Sequence, residues 1–317
     1  MKASGYIITV FLLATLAAPL AAQVNDTYVI AVAGAVRGGA NTNWATQADI
    51  FNPQAYWLTV SIVFIPTHGE PGVEVLLDIG PNENITVDNI LEDWFELRGT
   101  GSLLLATFPE DNPDVPDDVL SRSFLVTTRT YNTTNIGTYG QSIPGVWAGL
   151  FDFDFDGISA ISHGVRNYGT PGVSGYRTNV GAVNLGRWSV TLLVNVYDTF
   201  GDIVAEGLEF KLFPMGHEQQ ALPVSVVDGT VEFFLDDPTQ DSVVFPYISV
   251  VDNRSGDGVY GNPILLADPD ILFKKKMAHQ SVGKEIDTGT ARLVRERTER
   301  LGRIVRTGED RILQRVD

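Results

Sequence analysis

Two stretches of this chain, Trp44-Ala-Thr-Gln-Ala-Asp-Ile-Phe-Asn52 and Tyr176-Arg-Thr-Asn-Val-Gly-Ala-Val-Asn184, follow one pattern. Each opens on an aromatic residue, has threonine two places on and closes on asparagine. The offset between them is 132 residues and runs on without a gap, carrying Thr59 onto Thr191, Thr67 onto Thr199 and Gly69 onto Gly201. Further on, the block Tyr131 to Gln141 matches Asp252 to Asn262 at an offset of 121. A fainter lead-in sets Val36-Arg37-Gly38 against Val165-Arg166-Asn167. Residues recurring in order at fixed spacing in separate blocks predict an internal duplication.

The segments beside these blocks give the repeated unit its class. Trp57–Ile65 and Ser189–Tyr197 are strand-length, rich in β-branched residues and bounded by turn residues. Asn52 and Asn184 precede them, and asparagine suits a tight connection because it bonds its own backbone. Gly69 and Gly201 follow, where a left-handed turn residue is expected. Further predicted strands are Tyr28–Val36, Val73–Ile79, Ser102–Thr107, Phe124–Tyr131, Ala160–Arg166, Leu208–Leu212, Gly229–Phe234 and Tyr247–Val251. The fold class is therefore all-β, two tandem β-sandwiches. Within the modules only Val87–Leu97 has a helical pattern. The first module is placed at residues 25–144 and the second at 157–268. The joining segment 145–156 is apolar and aromatic, so the modules are expected to pack together.

The chain has 317 residues, 39 acidic against 22 basic, and no cysteine. The missing cysteines exclude disulfides, thiolate metal sites and thiol nucleophiles. The acidic balance argues against nucleic acid as a partner, since phosphate binding needs a basic face. Residues 1–22 read as a signal peptide: Lys2, an apolar run from Tyr6 to Leu16, Pro19, then cleavage after Ala22. The run is shorter than the roughly 20 residues that span a bilayer. The expected localisation is secreted, periplasmic or cell surface. The sequons at Asn25, Asn84, Asn132 and Asn253 would matter only in a eukaryotic secretory route.

The aromatic-x-Thr-x5-Asn block (Trp44, Thr46, Asn52), the strand at Thr59-Val60 and the closing Tyr131-Asn132 to Tyr139-Gly140-Gln141-Ser-Ile143-Pro144 block resemble a group of exported bacterial proteins. These carry tandem immunoglobulin-like modules and have no determined activity. The resemblance covers residues 30–265 and departs in the second copy, where Asp252 replaces the tyrosine and Asn262-Pro263 replaces Gln-x-Ile-Pro. It implies a secreted sandwich protein and no particular chemistry.

After Phe273 the composition inverts: residues 274–317 hold twelve basic and seven acidic side chains, against nine and 32 in residues 23–273. Residues 274–289 read as a connector. Residues 290–317 repeat every eleven residues, Leu293 to Arg303 and then Ile304 to Gln314, which predicts a basic amphipathic α-helix. Gly302 and Gly308 weaken it. Four placements are open: a solvated helix, self-association or a protein partner, docking on the acidic body, or a membrane surface. The last is disfavoured by the glutamates on the polar face.

Asp152, Asp154 and Asp156 precede Gly157 as in a calcium loop, but His163 stands where the closing glutamate belongs. Alternating Phe151, Phe153 and Phe155 equally fit an exposed strand. The acidic loop Glu110–Asp118 reads as solvated, with weak calcium or a basic partner as the other reading. The histidines have no zinc spacing, and no nucleophile elbow or phosphate loop is present. Trp57 and Trp188 are expected in the core and Trp147 at the module junction, so glycan stacking on the tryptophans is the secondary reading. The sequence thus points to a non-catalytic structural or interaction protein, with no cofactor beyond that calcium. The alternative is a lectin-like carbohydrate-binding surface protein, calcium-assisted or not.

Overall fold

The computed structural model describes residues 26–38, 42–108, 115–116, 119–135, 137–148, 158–236, 243–267, 304–306 and 312–313, with backbone alone at 119, 158–159, 265–267 and the last two spans. Residues 1–25, which include the segment read as a signal peptide, residues 149–157 and the segment 274–289 read as a connector lie outside them. The chain is all-β, built on two antiparallel sheets.

The first sheet holds β1 (Thr27–Arg37), β2 (Asn43–Phe51), β3 (Leu58–Pro66), β4 (Gly72–Ile79), β5 (Asn84–Val87), β6 (Gly99–Thr107), β7 (Leu125–Thr134), β8 (Gly137–Pro144) and β9 (Val146–Trp147). Two single-turn helices, α1 (Ile90–Asp93) and α2 (Val119–Arg122), sit in its connections. The second sheet holds β10 (Ile158–Thr170), β11 (Ser174–Asn184), β12 (Val190–Tyr197), β13 (Ile203–Leu212), β14 (Gly216–Ala221), β15 (Val226–Leu235), β16 (Val244–Asp252), β17 (Gly258–Gly261) and β18 (Ile264–Ala267).

The strand orders are β4-β3-β6-β1-β2-β7-β8 and β13-β12-β15-β10-β11-β16-β17. Each strand of the second path stands nine places after its counterpart in the first. The side pairings agree as well: β5 on β2 and β9 on β1, against β14 on β11 and β18 on β10. In each sheet one long strand bends the sheet over itself. Residues 27–35 of β1 pair with β6, and Val36 and Arg37 pair with β2. The two leaves then face each other: Ala48, Ile50, Val126 and Ile143 share a core with Ile62, Phe64, Leu103 and Leu105.

The motif residues hold equivalent joints. The buried Asn52 amide donates to the carbonyls of Tyr56, Ile79 and Gly80 at 2.7, 3.0 and 3.0 Å. That of Asn184 donates to Trp188, Leu212 and Phe213 at 2.7, 3.5 and 3.1 Å. Each side-chain carbonyl accepts from the backbone two residues on, at Gln54 and Gly186. The hydroxyl of Thr46 bridges the N–H and C=O of Gly34, and that of Thr178 bridges those of Arg166. Gly69 and Gly201 have φ of 68° and 86°, the left-handed turns expected of them. The closing blocks are not in register: β2 sets Trp44 opposite Asn132, and β11 sets Tyr176 opposite Asp252. Residues 135–136 join β7 to β8, whereas the longer span 253–257 joins β16 to β17.

Period-two alternation explains how the sheets meet. On β3, Val60, Ile62 and Phe64 fill the first core, while Val63 and Ile65 join the core of the second sheet. Val29 on β1 and Leu104 on β6 do the same. In return Tyr247 of β16 is buried in the first core. Fully burying each such aliphatic side chain contributes about 1.5–3 kcal/mol, so the junction is a shared core.

Two expectations are corrected, and a third is not borne out at the few residues described there. The helix read over Val87–Leu97 shrinks to Ile90–Asp93, because Asn89 caps it through Glu92 N–H, Val87 ends β5 and Glu96 has a left-handed φ of 55°. Trp57 and Trp188 are 58% and 54% exposed, not core, since each lies just outside its strand. The helix read over 290–317 does not include the residues described there. Ile304–Arg306 (β19) and Ile312–Leu313 (β20) are extended and pair parallel with β4. The β-branched pair Ile304-Val305, between Gly302 and Gly308, favours extension once a sheet edge offers hydrogen bonds.

Candidate functional site

Polar groups converge where the two sheets meet. Thr67, at the end of β3, forms a parallel bridge with His217 of β14. The His217 ring is fully buried, with Nδ1 3.3 Å from the Thr67 hydroxyl and Nε2 2.8 Å from the Tyr247 hydroxyl. Burial, aided by the nearby His68, lowers its pKa to about 3, so the ring is neutral. Tyr247 donates to Gln219 Oε1 at 2.8 Å, and burial raises its own pKa well above the usual value. Rimward, His68 pairs with Glu218 at 3.1 Å.

Beside this network lies a cavity of about 220 Å³ between the sheets. β2 supplies Trp44, β8 Gln141, β11 Arg177 and Asn179, β14 Gln219 and β16 Ser249. The Ser249 hydroxyl donates to Gln141 Oε1 at 3.0 Å. Arg177 donates to the amide oxygen of Asn253 at 3.3 Å, and desolvation lowers its pKa against the opposing pull of Asp252. The positions follow from alternation along β11: Thr178, Val180 and Ala182 are buried toward their own core, which turns Arg177, Asn179 and Gly181 toward the junction.

A second feature is the edge strand β4. Ile304, Val305 and Arg306 lie level with Gly72, Val73 and Glu74, and Ile312 and Leu313 with Leu76 and Leu77. β4 pairs with β3 without a register shift from Ile79 to Val73. Its counterpart β13 is irregular against β12, with Gly207 at φ 63°, and carries exposed Ile203, Val204, Glu206 and Glu209. Bulges and charges blunt an edge against further pairing, and a regular edge invites it.

Asp152, Asp154 and Asp156, and residues 109–114 and 117–118 of the acidic loop, fall outside the described residues. Among the described residues no group of three His, Asp or Glu side chains is placed to hold a metal. No described helix is long and apolar enough to cross a membrane. Asn132 and Asn253, two of the four sequons, are buried at 2% and 3%. Trp147 pairs opposite Tyr28 within β9 and is half-buried. Arg177, Asn179, Gln141 and Gln219 were not singled out as site residues by the sequence. The only local signal was Arg177 and Asn179 two places apart on β11, on the face opposite the apolar Val180 and Ala182. No protein-family model matches the chain, and no curated protein matches it.

Proposed function

We propose that this chain is a non-catalytic, exported structural or interaction protein whose tandem sandwiches are immunoglobulin-like and whose carboxy-terminal segment mediates docking or assembly. The observation that carries the reading is the pairing of β19 and β20 along β4. Adding a strand to a sheet edge is a common way for proteins to take up an extended segment. Exchanging an identical strand between copies is a low-cost route to a dimer. The residues between β18 and β19, 268–303, give the segment reach to a second copy. The test is light-scattering mass of the mature chain with and without the residues after Phe273. An assembly that becomes monomeric on truncation, and truncated protein that captures a 290–317 peptide, support it. Equal masses without peptide capture overturn it.

The carbohydrate-binding reading has one observation in its favour, the exposed indoles of Trp57 and Trp188. Stacking on a sugar ring needs such a face. A glycan array probed with wild type and the Trp57→Ala and Trp188→Ala variants decides it.

A further inference from the structure

We propose that the cavity between the two sheets is a binding site for a small carboxylate ligand. Its chemistry is one-sided. Gln141 and Gln219 each have the side-chain carbonyl engaged, by the hydroxyls of Ser249 and Tyr247. That fixes both amides with their NH₂ groups left as donors toward the cavity they line. Asn179 adds a third amide to the lining, and Arg177 adds a cation.

Among the described residues no carboxylate lies within 4.0 Å of the Arg177 guanidinium, and its hydrogen-bond partner, Asn253, is neutral. Among the described residues no acidic side chain lines the cavity, although the chain carries 39 of them. A partly desolvated arginine surrounded by amide donors matches an anion, and its planar fork matches a carboxylate. Val32, Val36 and Val251, with Trp44 as one wall, suit a ligand whose carboxylate is borne on a compact ring. The volume equals that of about seven liquid waters. The site is built rather than incidental. Gln219 is held through Tyr247 by the buried His217, and Gln141 spans from the first sheet to Ser249 on the second. A ligand there would touch both sheets and stabilise their junction.

The test is calorimetric titration of the full mature chain with benzoate and D-glucuronate, each beside its neutral twin, benzyl alcohol and glucose. At least one acid is expected to bind with a Kd below about 10 mM and at least about tenfold more tightly than its twin. Arg177→Gln is expected to weaken that binding by about tenfold or more. Gln219→Glu provides a second variant: it keeps the acceptor for Tyr247, removes the donor and adds a charge of the ligand's own sign. It is expected to abolish binding with little change in melting temperature. The proposal fails if neither acid binds, if acid and twin bind equally, or if a folded Arg177→Gln or Gln219→Glu protein binds as wild type does.

Discussion

The His217 imidazole and the Tyr247 phenol are stacked with ring planes 13° apart and joined by a 2.8 Å hydrogen bond from Nε2 to the hydroxyl oxygen. His217 belongs to β14, which flanks β11 in the second sheet, and Tyr247 is buried in the core of the first. The pair therefore ties the two cores together, and its protonation state bears on their union.

Stability should fall on mild acidification through His217. Its folded pKa of about 3 lies below the ordinary value of 6.5. Above pH 6.5 neither the folded nor the unfolded chain holds this proton, and the group makes no difference. Below it the unfolded chain takes up a proton that the native ring refuses, so stability drops as pH moves from about 6.5 toward 3. At pH 4.5 the loss is roughly 2–3 kcal/mol relative to pH 7.5. Urea unfolding at both values measures it, and His217→Gln should lose that part of the pH dependence. An unchanged pH dependence in the variant would show that His217 titrates freely.

Asn52 and Asn184 should be equally intolerant of change. Each amide satisfies carbonyls at the ends of two strands, and both side chains are fully buried. Asn52→Ala and Asn184→Ala should each cost about 2–3 kcal/mol in chemical denaturation, because buried carbonyls lose their donor. Asn→Asp should cost more at either site, since a carboxylate would face those oxygens. A marked difference between the two sites would mean the joints are not energetically alike.

These joints were legible in the sequence because short-range chemistry dictates them: an asparagine bonding across its own turn, a threonine bridging a bent strand, a glycine at positive φ. The junction between the sheets was not. β14, Gly216-His-Glu-Gln-Gln-Ala221, alternates neither cleanly nor apolarly. It is buried at one end by another sheet, which no local pattern records. The Leu58–Pro66 run is apolar on both faces from Ile62 on, and its second face there, Val63 and Ile65, finds a partner only in three dimensions. The eleven-residue period at the carboxy terminus fits a helix, yet at residues 304–306 and 312–313 the open hydrogen-bonding edge of β4 outweighs it. Propensity is a weak prior wherever a tertiary partner exists.

Gly181→Ala should disturb the junction selectively. Gly181 pairs directly with Tyr247, and a Cβ there would come 2.4 Å from the Tyr247 hydroxyl oxygen. The ring would have to shift, breaking its contacts to His217 and Gln219, at a cost of about 1–3 kcal/mol. Gly201→Ala is the comparison, because nothing lies within 4 Å of a Cβ at Gly201; its cost is that of the backbone at φ 86°. If Gly181→Ala alone moves the His217 ring resonances, the steric account holds; if neither variant does, Tyr247 is free to move.

The last prediction concerns the outer edge of β4. With β19 and β20 in place, the outer edge of β4 is paired at Gly72–Glu74 and at Leu76–Leu77. Truncation after Phe273 removes those partners and leaves the β3 ladder intact. Hydrogen exchange should therefore accelerate at alternate amides of β4 and stay unchanged at their neighbours, the signature of a strand losing one side only. β13 provides the internal control, because its free edge pairs with no other described strand and its exchange should not respond. Uniform acceleration across both sheets would instead mean that the terminal strands support the whole fold, and no change at β4 would place them elsewhere in solution.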